Sequence, residues 1–215
     1  MNQITILALA AFSLSLSDCR WFGVRGNGKV TTEERPVTGF NEIHADGNFD
    51  IEWRNGLPEL SIKTDENLLP YIESTVTDNK LRLHTRERIL PTHGAKIVVS
   101  CPTRSAARLR GAIDMKVPQL SGGTFAIETR GASDVTLDGA VDLLVAEMTG
   151  ASDLRAKSLQ TKTAEISTTG AADAIVNVSE ALRVTITGAG DVTYYGTPKT
   201  IEKHVTGAGS IRHKD

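Results

Sequence analysis

Gly131-Ala132-Ser133-Asp134-Val135-Thr136-Leu137 and, further on, Gly150-Ala151-Ser152-Asp153-Leu154-Arg155-Ala156 decide the fold. The same Gly-Ala-x-Asp turn stands at Gly111–Asp114, Gly170–Asp173 and Gly188–Asp191, and a sixth copy, Gly207–Ser210, ends in Ser. The steps between these glycines are 20, 19, 20, 18 and 19 residues, a spacing that chance does not produce. After the acid comes Met115, Val135, Leu154, Ala174, Val192 or Ile211, always apolar, followed by a position that is polar in five copies. Upstream, Leu109, Thr129, Met148, Thr168, Ile186 and Val205 alternate with the polar Arg108, Glu128, Glu147, Ser167, Thr185 and His204. Alternation with period two marks strands with one buried face.

A repeat of strand, tight turn, strand and variable corner is one coil of a β-solenoid. The fold class is therefore all-β, a parallel β-helix-like superhelix of two sheets with coils of about 19 residues. Stacked coils lie about 4.8 Å apart, and inward Leu, Val, Ile and Ala fill a long narrow core that no single coil could bury. A helical reading fails, because β-branched residues and glycines recur too often.

Working outward, residues 101–215 supply six regular coils and residues 28–100 a degenerate version of the same grammar. Gly47-Asn48-Phe49-Asp50-Ile51-Glu52-Trp53 matches the turn pattern. Asp65 to Ile72 reads as a short helical turn with Asp65 as N-cap, and Asn55-Gly56 and Asp78-Asn79 read as turns. The hairpin-like Thr77-Asp78-Asn79-Lys80 keeps an N-terminal antiparallel sheet as the alternative. Hydrophobic residues are 40% and charged residues 23% of the 215, an ordinary globular balance that speaks against disorder. With 24 basic against 26 acidic side chains and a net charge of −2, no nucleic-acid footprint is present.

The first eighteen residues read as a signal peptide and 19–27 as a short linker to a β-solenoid domain at 28–215. Ile4 to Leu16 is apolar and too short to span a membrane, which takes about 20 residues. Leu16-Ser17-Asp18-Cys19 looks like a lipoprotein cleavage box and makes Cys19 the expected lipid-attachment site, although Asp18 stands where a small residue is usual. The only other cysteine, Cys101, follows Ile97-Val98-Val99 and reads as a small buried hydrophobe at a strand end, with a Cys19–Cys101 disulfide as the alternative.

Three stretches together resemble one bacterial family: Val30-Thr31-Thr32-Glu33-Glu34-Arg35-Pro36-Val37-Thr38-Gly39-Phe40, then Asp65 to Ile72, then the Gly-Ala-x-Asp turns. The chain is similar to the autotransporter-adhesin head, or GIN, domain from Gly28 to its C-terminus. The resemblance implies an exported, often lipid-anchored β-solenoid of Gram-negative bacteria, without a recognised catalytic set and with adhesion as the proposed role.

Asp114, Asp134, Asp153, Asp173 and Asp191 should stack along one edge, where neighbouring charges repel by roughly 1 kcal/mol in water. Calcium is one way to offset that. Hydrogen bonds from each acid to its own turn backbone are the preferred way, since Ser210 can do that job but is a poor calcium ligand. Gly111, Gly131, Gly150, Gly170, Gly188 and Gly207, with those acids and Ser210, are thus expected to be structural turn residues, with no metal or other cofactor. Thr149, Thr169, Thr187 and Thr206 precede the turn glycine and form a surface row, headed by Arg110 and Arg130. His44, His84, His93, His204 and His213 are scattered, though His204 and His213 fall in the last coil. No catalytic residues are assigned, for the ladder's carboxylates occupy equivalent positions, with nothing to make one an acid and another a base.

These features predict a non-enzymatic protein of the outer membrane, periplasm or cell surface. It binds a protein or glycan, touches a membrane only through Cys19, and leaves homo-oligomers open. A polysaccharide lyase or hydrolase on a β-helix is the alternative. The charged run Arg212-His213-Lys214-Asp215 is expected to cap the last coil against pairing with another chain.

Overall fold

The structure, a computed structural model, describes residues 23–215. The predicted signal peptide, Cys19 and its lipid lie outside the described residues. Eight strands lead into the repeat: β1 (Val24–Arg25), β2 (Val30–Arg35), β3 (Glu42–Arg54), β4 (Glu59–Asp65), β5 (Ile72–Thr77), β6 (Lys80–Thr85), β7 (Ile89–Leu90) and β8 (Lys96–Ser100). The repeat itself is β9 (Ala106–Gly131), β10 (Asp134–Gly150), β11 (Asp153–Gly170), β12 (Asp173–Gly188), β13 (Asp191–Tyr195), β14 (Thr200–Gly207) and β15 (Ser210–His213).

From β9 onward each coil lies parallel on the one before, a β-solenoid. The register is the one the repeat dictates: Gly111, Gly131, Gly150, Gly170, Gly188 and Gly207 form one row, which Gly47 of β3 begins. The long strands bend round the corners while still paired, so the coils belong to one thirteen-stranded sheet wrapped on itself. In the coil through Gly150, Leu144, Ala146 and Met148 point inward before the turn, and Ser152, Leu154 and Ala156 after it. Among the described residues no helix is long and apolar enough to cross a membrane.

The turns are held by a ladder of their own. The Ala151 N–H donates to the Gly131 carbonyl at 2.8 Å, that of Ala171 to Gly150 at 2.8 Å, and that of Ala189 to Gly170 at 2.8 Å. Stacked backbones approach so closely there that a Cβ on any glycine from Gly111 to Gly207 in the row would lie inside the van der Waals surface of the preceding glycine's oxygen. The third turn residue points inward and shrinks along the axis, from Phe49 and Ile113 through Ser133, Ser152 and Ala172 to Gly190 and Gly209. Ser133 and Ser152 are fully buried, and their hydroxyls accept from the N–H groups of Ile113 and Ser133 in the preceding coils.

The N-terminal region departs from degenerate coils. The segment carrying β6 and β8 makes one parallel layer against β3, but β5 runs antiparallel to β6, and β4 antiparallel to β8 and β2. Asp78 and Asn79 turn the β5–β6 hairpin with φ of 52° and 59°, the left-handed pair such a two-residue loop needs. The antiparallel strands thus end the solenoid sheet instead of forming a separate one. β3 lies between β8 and β9, although some fifty residues separate its last residue from Ala106 of β9. Trp53 fills the core of this end, 6.2 Å from both the Phe40 and Phe125 rings. Arg104, almost fully buried, donates to the carbonyls of Trp53, Pro118 and Gln119.

The short helical turn is a single 3-10 turn at Leu69–Tyr71, and Asp65 does not cap it. Asp65 ends β4 and is buried, accepting from the Gly28 N–H at 2.7 Å, the Thr92 N–H at 2.9 Å and Thr92 Oγ1 at 2.7 Å. Burial alone would raise its pKa, but the hydrogen bonds from Thr92 and Gly28 outweigh it and hold the carboxyl below its ordinary 3.8. A depressed folded pKa stabilises the fold above the unfolded value, and this stabilisation is lost as the pH falls through the folded value. Urea midpoints of the wild type and Asp65→Asn should therefore differ clearly at pH 7 and converge below pH 3.8. A gap that stays constant with pH would show that the charge contributes nothing.

At the opposite end β14 is exposed along its whole length. Its inward position above Val184 carries Lys203, whose ammonium sits 5.1 Å from the Tyr194 ring centroid. His213 stacks on the same ring at 4.9 Å, and the Lys214 N–H donates to the Tyr194 carbonyl. An inward-pointing charge blunts an open strand edge. These contacts of His213 and Lys214 seat the C-terminal run on the preceding coil, while the inward charge comes from Lys203, which the sequence pattern did not single out.

Candidate functional site

The predicted Asp ladder is in register: Asp114, Asp134, Asp153 and Asp173 pair in turn, and Asp50 of β3 precedes them. Its repulsion is relieved differently from the expected own-turn hydrogen bonds. Arg155, two residues beyond Asp153, bridges Asp134 at 3.2 Å and Asp153 at 2.9 Å. Arg212 pairs with Asp191 at 3.4 Å. Asp173 and Asp191 also accept the backbone N–H of the next coil, from Asp191 at 2.7 Å and Ser210 at 2.9 Å. The Ser210 hydroxyl adds a third bond and lowers the Asp191 pKa, so Ser210 serves as a donor to the ladder. Among the described residues no three or more His, Cys, Asp or Glu side chains gather as metal ligands would.

Other residues fall apart in space. His213 is stacked on Tyr194, while His204 lies along β14 beside Thr206, so the last coil makes no histidine pair. Cys101 is fully buried at the end of β8, where Trp53 Nε1 donates to its sulfur at 3.1 Å and the thiol donates to the Thr103 carbonyl. Burial pushes that thiol's pKa up.

The outward side chains before the turn glycines build a more suggestive surface. The row Thr149, Thr169, Thr187 and Thr206 is continuous, and toward the N-terminal end it becomes Arg130, Arg110, Asp46 and His84. The parallel row two residues earlier contains Arg108, His44 and Arg82. Between these rows lies a half-open groove of about 500 Å³ lined by His44, Asp46, Arg82, His84, Arg108 and Arg110. Arg108 leans 3.3 Å from Glu128, and Glu73 holds His84 at 2.8 Å. Arg82 and Arg110 have no ion-pair or hydrogen-bond partner among the described residues. Burial, and then Arg108, lower the His44 pKa, leaving its ring neutral at pH 7. At that pH the groove sets three arginines against Asp46.

The outward position of Arg110 was legible from the repeat. The groove was not, because Arg82 and His84 join it only through the parallel pairing of β6 with β3, which no local pattern announces.

Fold and surface together define a capped parallel β-solenoid with a registered, polar outer face. Residues 39–198 match the family described as "Putative auto-transporter adhesin, head GIN domain", and the chain belongs to that family. Among solved structures, a putative adhesin from Bacteroides fragilis is similar at 21% identity and a TM-score of 0.74, over 89% of this chain and all of the other. A putative lipid binding protein from Parabacteroides distasonis is similar at 20% identity and a TM-score of 0.62, over 90% of this chain and all of the other. No curated protein matches the chain.

Proposed function

We propose that the protein is a non-enzymatic β-solenoid of the cell envelope or surface, anchored through Cys19, that offers its outer face to a protein or glycan partner. The family's description as an adhesin head supports this reading. So does the arrangement of the carboxylates, the observation that carries it. A glycoside-cleaving pair needs one carboxyl kept protonated and its neighbour ionised. Here Arg155 spans two adjacent members of the ladder, so Asp134 and Asp153 share one cation from equivalent, half-exposed turn positions, with no feature that sets one apart from the other as an acid–base pair requires.

The test uses the full chain made with its own N-terminus. The mass from the membrane fraction should correspond to a chain starting at a diacylated Cys19. Incubation with plant and bacterial polysaccharides should release no new reducing or unsaturated ends. A chain retaining Met1 in the cytosol, or steady depolymerisation, overturns the reading.

A further inference from the structure

We propose, resting on the reading of the outer face as a binding surface, that the groove between Arg82 and Arg110 holds an extended acidic polysaccharide by its carboxylate or sulfate groups. Arg82 and Arg110 are exposed and carry their charge without a partner, so their guanidinium forks are free for a planar two-oxygen anion. They stand on β6 and β9, either side of β3 and two residues out of step, so about 12 Å separates their backbones at the usual strand spacing and rise. That separation suits anionic groups repeated along a chain better than one compact anion.

The floor between them favours a sugar. Asp46, opposite both His84 and Arg110, repels any anionic group placed on it but accepts hydrogen bonds from hydroxyls, so the stretch spanning the two arginines fits an uncharged, hydroxylated segment. A lipid surface fits less well. The exposed large hydrophobics among the described residues, Val30, Leu57, Ile175, Ile201 and Val205, all lie outside the groove, so nothing there would enter acyl chains. The row of threonines leading away from Arg130 continues the track with hydroxyls toward the C-terminal coils.

The experiment titrates the full chain with fragments of polygalacturonate, of dextran sulfate and of neutral dextran, and with phosphatidylglycerol vesicles. The expected result is binding to an acidic glycan, with the first two arms telling carboxylate from sulfate, and none to dextran or vesicles. Added salt should weaken it. The double variant Arg82→Gln/Arg110→Gln should lose roughly tenfold or more in affinity, as charge-assisted bidentate contacts predict. Arg82→Lys/Arg110→Lys, which keeps the charge and loses the fork, should fall between, and it serves if the glutamine variant misfolds. Arg155→Gln/Arg183→Gln removes two arginines paired elsewhere and should change affinity by less than about twofold.

Binding to neither acidic glycan, equal binding by the wild type and both groove variants, or binding to vesicles alone overturns the proposal. If neutral dextran binds the wild type and the groove variants alike, the groove assignment falls while the outer face as a binding surface stands.

Discussion

Gly150→Ala should remove about 4 kcal/mol of stability and loosen the coils after it first. The backbone at Gly150 has φ of +115°, where an L side chain is strained by about 1–3 kcal/mol. Its new Cβ would press on the Gly131 carbonyl oxygen, an overpacking that costs about 1–3 kcal/mol. That oxygen cannot move aside without giving up the Ala151 N–H, a bond worth about 1 kcal/mol net. Set against about 5–15 kcal/mol for a whole domain, the loss is large. Because coils contact only their neighbours, a weakened interface divides the stack instead of melting it uniformly. Urea unfolding should show the loss, and hydrogen exchange should show faster opening from Asp153 onward. Gly39→Ala, where a Cβ meets open space, is the control and should change stability by less than about 0.5 kcal/mol. A Gly150→Ala loss below about 1 kcal/mol would mean that the turn row tolerates a side chain.

Trp53→Ala should cost about 4 kcal/mol, within the range for deleting a buried aromatic. Trp53 is fully buried between Phe40 and Phe125. The same substitution takes the indole N–H from Cys101. In the wild type the buried, raised-pKa thiol should resist a thiol reagent until the chain unfolds, whereas in Trp53→Ala it should react under native conditions. Labelling read at the Cys101 peptide by mass checks both halves. A wild-type thiol as reactive folded as unfolded would contradict the packing described.

The regular coils were legible because each carries its own copy of one turn, and the turn needs glycine for a reason visible in one dimension: two backbones meet there. Gly47 could be placed in the same row by its sequence alone. Asp65 could not be read, since an acid before Leu68-Leu69-Pro70 has the look of a helix cap, and its real partners, Gly28 and Thr92, are distant in sequence. The Asp ladder's position was legible and its chemistry only partly so. An acid beside a turn suggests local bonds, whereas the stack puts the next coil's N–H and Arg155 closer. The groove was hidden for the reason that β3 pairs with strands on either side whose sequences lie beyond it.

That placement of β3 also fixes an order of events. Both edges of Glu42–Arg54 are completed by segments that leave the ribosome later, β6 and β8 on one side and β9 on the other. A chain emerging from its N-terminus therefore cannot lay down its coils one after another. It must carry residues 42–54 unpaired until β6 and β8 have appeared, and with the other edge open until about residue 116 has, while Asp134 onward can stack as it comes. Such long-range closure is slow compared with adding a coil to its neighbour. The molecule should assemble from its repeated half backwards, and the last step to finish would be the layer that contains Trp53 and the arginine-lined groove.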